Sequence, residues 1–103
     1  MARCLDGWSA AELRSLAQHV VSLGRAVALL GARGDDAAQV VFARSAGLPV
    51  DVGALLQRAL LRLGGRGGGR GDVVQGGGPS TAELQPALEE AARAAREALS
   101  ATP

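Results

Sequence analysis

Gly64-Gly65-Arg66-Gly67-Gly68-Gly69-Arg70-Gly71-Asp72-Val73-Val74-Gln75-Gly76-Gly77-Gly78 decides how this chain is read. The stretch carries nine of the fifteen glycines and stands between two segments with helical periodicity. Ordering consecutive glycines costs more conformational entropy than ordering any other sequence, so a small domain that keeps them mid-chain needs backbone where side chains cannot go. Two uses fit. In one, the backbone N–H groups form a concave nest, with Arg66 and Arg70 adding charge, that meets a phosphate or a base edge. In the other, the stretch is a flexible linker. The flanks weigh against a linker: Leu60-Leu61-Arg62-Leu63 runs into Gly64 as a helix running into a left-handed glycine does. Asp72-Val73-Val74-Gln75 is a β-prone run for which a linker has no use.

Upstream of the glycines, Asp51 opens a helix whose Val52, Leu55, Leu56, Ala59, Leu60 and Leu63 form one wide apolar stripe, with Gln57, Arg58 and Arg62 on the other side. Arg58, Arg62, Arg66 and Arg70 thus run along a helix end and the loop after it. Two readings apply: an ordinary solvated face, or a small patch able to meet an anionic backbone. Further upstream, residues 25–31 and 39–44 are apolar runs joined through Arg33-Gly34-Asp35-Asp36, and they predict a β-hairpin. Glycine in that turn is free to take a positive φ. Adjacent apolar residues in both runs predict burial on both faces or beneath covering helices.

The first helix begins after Trp8: Ser9 is its N-cap, Glu12 closes a capping box, and Trp8 is placed to staple against Leu13. Leu13, Leu16, Ala17, Val20 and Leu23 keep the spacing of one buried face, and Gly24 is placed to end it. Downstream, Ser80 and Glu83 offer a second capping box. Pro86 would break a helix interior, so the pattern predicts a short turn over residues 81–84 and a main helix from about Pro86. Leu88, Ala91, Ala92, Ala95 and Leu99 make its buried stripe. Glu89 and Arg93 form an i, i+4 pair, and Glu90, Arg96 and Glu97 read as a solvated face. The expectation is therefore a small single α+β domain over residues 8–100. Its order is α-β-β-α-(Gly-rich loop)-β-α, a hairpin plus a short third strand packed against helices, with residues 1–7 and 101–103 as flexible ends.

Composition narrows the chemistry. The chain has 103 residues, a formal net charge of +1, and eleven basic residues that are all arginine. A charge so near zero argues against coating nucleic acid in bulk, so any such contact has to be local. The lone Cys4 leaves no internal disulfide or cysteine-rich metal site, and no apolar run reaches transmembrane length. These features lead to an expectation of the cytoplasm, without membrane contact. His19 is the sole histidine and lies off the apolar stripe, as a surface residue would. No nucleophile and base are placed together, a P-loop needs a lysine that the chain lacks, and a dinucleotide fingerprint needs a strand before its glycines where a helix stands here. No catalytic residue, metal ligand or cofactor follows. Arg33-Gly34-Asp35 as an adhesion tripeptide does not fit a cytoplasmic composition.

Residues 64–77 resemble the glycine-rich signature near the C-terminus of alanyl-tRNA synthetases, in the domain also found attached to DHH-type phosphoesterases. The order of elements across most of residues 8–100 is similar to that family's C-terminal globular subdomain. Gly71 stands where the synthetase pattern usually has proline, and Val74 where alanine is usual. The phosphoesterase branch usually carries histidine right after its glycines, where this chain has Arg70, so the synthetase branch is the better match. The resemblance implies a non-catalytic module that binds the elbow of tRNA and supports aminoacylation and editing by the whole ligase. Carried over by position, Gly67, Gly68, Gly69 and Arg70 lie nearest the RNA, with Arg66 supporting them. The site expected from the residues themselves adds Gly65 of the same loop, and Arg58, Arg62, Arg66 and Arg70 as salt-sensitive phosphate contacts. The family's activation and editing motifs are missing, as is the preceding helical segment through which oligomerisation would run. Two rivals stand beside this reading: a nucleotide-binding domain detached from a DHH-type phosphoesterase, and a protein-interaction module using the alanine-rich last helix.

Overall fold

A computed structural model describes residues 1–69 and 71–100. Arg70, expected nearest the RNA, and the expected flexible tail 101–103 lie outside the described residues. The chain forms β1 (Ala2–Cys4), α1 (Ala10–Ser22), β2 (Val27–Arg33), β3 (Ala38–Arg44), α2 (Val52–Leu63), β4 (Arg66–Gly68), β5 (Val73–Gly78) and α3 (Leu84–Ser100), with a 3-10 turn at Thr81–Glu83 before α3. The strands make one five-stranded sheet in the order β1-β2-β3-β5-β4. Its pairs are antiparallel except β1 with β2.

The sheet is covered on both faces, which is why the central hairpin has runs of apolar residues instead of strict alternation. Val27 and Leu29 of β2, with Val40 and Phe42 of β3, face α2 and α3 in the larger core. Ala28, Leu30 and Ala32, with Val41 and Ala43, face Leu13 and Ala17 of α1 in the smaller one. The small residues on the α1 side let that helix lie close. The turn joining the hairpin closes through Gly34 N–H donating to the Ala37 carbonyl at 2.8 Å. Gly34 does so without the positive φ that its place in the sequence allows.

Local signals set the helix ends. Ser9 and Glu12 form the expected reciprocal box, Ser9 Oγ accepting from Glu12 N–H at 3.1 Å and Glu12 Oε1 from Ser9 N–H at 3.0 Å. Trp8 stays 39% exposed, and Leu23 is exposed because α1 has already ended at Ser22. Asp51 caps α2 through the Ala54 N–H at 3.0 Å, all six residues of the expected stripe are buried, and Gly64 ends the helix in the left-handed region at φ 67°. At α3 the second capping box is absent: the Ser80 side chain makes no cap bond, and a 3-10 turn takes its place. The main helix starts at Leu84, two residues before the expected Pro86. Proline is tolerated there because first-turn N–H groups have no intrahelical partner. Leu88, Ala91 and Ala95 are buried as expected, but Leu99 is 40% exposed.

Two strands depart from the expected order. The first is β1: residues 1–7 do not simply fray, since Ala2–Cys4 pairs with residues 29–31 and Leu5 N–H donates to the Gly31 carbonyl at 2.7 Å. Asp6 then clasps Arg33, its carboxylate taking Nη2 at 2.8 Å and Nε at 3.0 Å, with Arg33 N–H also at 3.0 Å. The second is β4, described with the site.

One buried hydroxyl ties α1 to the sheet. Ser45 Oγ accepts from Ala26 N–H at 2.9 Å and reaches the carbonyls of Val21 at 2.8 Å, Ala26 at 3.1 Å, and Gly24. Ser45→Ala leaves the Ala26 N–H without its partner and is expected to lower stability by about 1–3 kcal/mol, as read by urea unfolding.

Candidate nucleic-acid interface

The glycine stretch is a hairpin at the edge of the sheet. Gly68, Gly67 and Arg66 pair in turn with Gln75, Gly76 and Gly77, and β5 pairs on its other side with β3 through residues 73–78. The short third strand expected at residues 72–75 is thus β5, extended through three glycines and joined by an edge strand that the sequence reading placed in a loop. Arg66, Gly67, Gly68 and Gly69 are exposed, whereas Gly65 is half-buried against the β5 backbone. Around Gly68 nothing comes within 4 Å of the position a Cβ would take. The edge is therefore smooth as well as open.

The body of the domain holds this hairpin at three points. Arg44 N–H donates to the Asp72 carbonyl at 2.8 Å and its Nε to Asp72 Oδ1 at 2.9 Å, while Nη1 donates to the Val50 carbonyl at 2.7 Å. From α1, Arg14 Nη1 donates to Gln75 Oε1 at 2.7 Å; from α2, Gln57 Nε2 reaches the Gly67 carbonyl at 3.4 Å. Sequence reasoning missed Arg14, Arg44 and Gln75, because only the fold brings residues so far apart together. At the turn Gly71 has φ 79°, which proline, fixed near −65°, does not adopt. The residue usual in the resembling pattern would thus need a different turn here.

The expected arginine series divides. Arg66 stands exposed on β4 with no ion pair among the described residues. Arg58 and Arg62 point to the α2–α3 seam. There Arg58 Nη2 is 3.0 Å from Glu90, Arg62 Nε is 2.7 Å from the same carboxylate, and Arg62 Nη1 is 3.1 Å from Glu83. Glu90 is therefore an anchor between two helices instead of part of a solvated face. Glu89, expected to pair with Arg93, accepts from Gln85 Nε2 at 3.2 Å.

The two arginines hold the Glu90 carboxyl below the usual range, chiefly through the Arg62 hydrogen bond. A carboxylate depressed in the folded state stabilises the fold above its ordinary range, and that contribution is lost as pH falls through the folded value. Glu90→Gln is accordingly expected to lower the melting temperature at neutral pH and to flatten its fall in acid. Thermal melts across pH 2 to 7, roughly the carboxylate window and above, read this out.

Elsewhere, Asp6 lies well below the usual carboxylate range, first because of its hydrogen bond from the Arg33 side chain. Burial, and then Asp6, push the Cys4 thiol up, away from the thiolate form a nucleophile needs. His19 is exposed on α1. Among the described residues no three His, Cys, Asp or Glu side chains are placed to hold a metal ion, and no helix is long and apolar enough to cross a membrane.

A two-faced sheet with a glycine hairpin at one edge and a long alanine-rich helix after it defines a class. The family model described as the DHHA1 domain matches residues 1–100, and the chain belongs to that family. Its relatives include alanine–tRNA ligases. The alanine–tRNA ligase of Desulfosudis oleivorans is 35% identical over 94 residues, 88% of this chain and 11% of the ligase. That of Thermus thermophilus is 38% identical over 84 residues, 82% of this chain and 9% of the ligase. The chain thus spans about a tenth of the length of the ligases it matches. The crystal structure of the C-Ala domain from Aquifex aeolicus alanyl-tRNA synthetase shares the fold, with a TM-score of 0.81 at 24% identity, covering 89% of this chain and 86% of that chain.

Proposed function

We propose that this domain binds tRNA through the exposed face of its glycine hairpin, as an accessory, non-catalytic module of an alanyl-tRNA synthetase in the cytoplasm. The observation that carries the proposal is the conjunction at β4: a glycine edge with open space at Gly68, and Arg66 beside it without a carboxylate partner among the described residues. Asp72, the carboxylate nearest in sequence, is taken up by Arg44, so it does not cancel Arg66. A backbone without side chains lets a phosphodiester chain and its sugars approach closely, and recognition of that kind reads shape more than sequence.

Arg66 contributes a phosphate contact, and Arg14, held over the hairpin by Gln75, is a second candidate that the sequence did not reveal. Arg70 belongs to the proposal by sequence position. Arg58 and Arg62 rank below these because each guanidinium would have to leave Glu90 or Glu83 to take a phosphate. The closeness to alanine–tRNA ligases supports the choice of tRNA over a mononucleotide.

The test is a tRNA titration across a range of salt concentrations. Each phosphate contact removed lowers the slope of log affinity against log salt by about 0.7–0.9. Arg66→Ala is expected to weaken binding and reduce the slope by about one such step, and Arg66→Ala with Arg14→Ala by about two. Affinity and slope both unchanged in the double variant would reject the proposal.

A further inference from the structure

A second charged feature lies on the opposite edge of the sheet from the glycine hairpin, about four strand spacings or 19 Å away. It is a groove of about 1000 Å³ between β1 and α3. Arg3, Arg25, Arg93 and Arg96 line it, all exposed and none in an ion pair among the described residues. Among the described residues Glu89 is the one carboxylate in its wall. Four of the eleven arginines thus converge on one side of a chain whose net charge is only +1. On the α3 side, apolar surface between them is limited to Leu99, 40% exposed, and half-buried Ala92, because Leu88 and Leu29 beneath are each 2% exposed.

We infer that this groove is a docking site for an acidic amphipathic helix, lying alongside α3 over the edge of β1. Charge complementarity identifies the partner's flanks as carboxylates, which guanidinium groups take in a planar, paired geometry. Leu99, with Ala92 beside it, identifies its inner face as aliphatic, the helix-in-groove arrangement. Single-stranded RNA fits less well, because bases require stacking surfaces and neither aromatic residue, Trp8 nor Phe42, lines the groove. Strand addition fits less well too, since β1 offers an edge of only three residues. Because the groove and the hairpin lie on opposite edges, a helix seated here leaves the glycine edge open.

The experiment uses the full chain and a fluorescein-labelled helical peptide with leucines at i, i+3, i+4 and i+7 and glutamates on both flanks, followed by fluorescence anisotropy. Saturable binding is expected, weakened roughly tenfold or more by Arg93→Glu with Arg96→Glu, as loss and reversal of two exposed charge contacts imply. Leu99→Asp is expected to weaken it separately, by removing that exposed apolar side chain. All three positions are exposed, and circular dichroism checks that each variant is folded. A peptide of the same composition in scrambled order binding equally well would overturn the inference, because charge alone would then explain it. So would unchanged binding by the folded double variant, or displacement of the peptide by single-stranded RNA with the same loss at Arg93 and Arg96. Measuring tRNA binding on the same variants keeps the outcome separate from that at the hairpin.

Discussion

Phe42→Ala is expected to remove about 3–5 kcal/mol of stability, as large-to-small changes of a buried phenyl ring do. Phe42 is fully buried and the largest side chain to be so. It sits on the central strand β3, opposite Leu29 of β2 on one side and Val74 of β5 on the other, and its ring belongs to the core shared with α2 and α3. The surrounding side chains are held by the sheet on one side and by two helices on the other, so the cavity closes only partly. With a typical total of about 5–15 kcal/mol for a domain, the loss leaves a protein near its unfolding threshold. A urea titration measures it; a cost under about 1 kcal/mol, the scale of a surface change, would show that the ring is not the centre of the core.

Gly76→Val is expected to cost about 2–3 kcal/mol or more through overpacking, and to dislodge the edge strand. Gly76 lies directly opposite Gly67, with Leu60 of α2 across the pair. A Cβ at Gly76 would come within 2.9 Å of both the Arg66 carbonyl oxygen and Leu60 Cδ2, and within 3.0 Å of Gly67 Cα. Two of these atoms are backbone, and Leu60 is 3% exposed, so no neighbour swings aside cheaply. Gly76 of β5 thus lets α2 rest against the hairpin, while Gly68 of β4 leaves its outer side bare. Thermal melts of Gly76→Val and Gly68→Val side by side test this division. The first is expected to melt well below the parent and the second close to it. Equal melting temperatures would contradict the packing described.

Features set by neighbouring residues were legible in the chain. Ser9 and Glu12 cap α1 within one turn, the stripe from Val52 to Leu63 buries itself by period alone, and Gly64 ends its helix as a left-handed glycine should. The hairpin of β2 and β3 and its two-sided burial also followed from adjacent apolar residues. What was not legible depends on distant partners. Ala2-Arg3-Cys4 has no alternation of its own and becomes a strand because β2 offers it an edge. Arg66-Gly67-Gly68 has little β propensity and is held by register against β5. Arg58 and Arg62 looked free because Glu90, 28 residues beyond Arg62, is brought to them only when α3 folds back on α2. For the candidate site, the sequence supplied the glycines and Arg66, and the fold added Arg14, Gln57 and Gln75 around them.

The central claim, that the bare outer side of the glycine edge is a contact surface for tRNA, is tested most directly by titrating tRNA against Gly68→Val beside the parent chain. No atom comes within 4 Å of a Cβ placed at Gly68, so the valine adds its bulk on the open side of the edge, where it obstructs what approaches from outside. The account predicts a variant that melts like the parent and binds tRNA at least about tenfold more weakly, about 1.4 kcal/mol. A variant equally stable and equally tight in tRNA binding would contradict it.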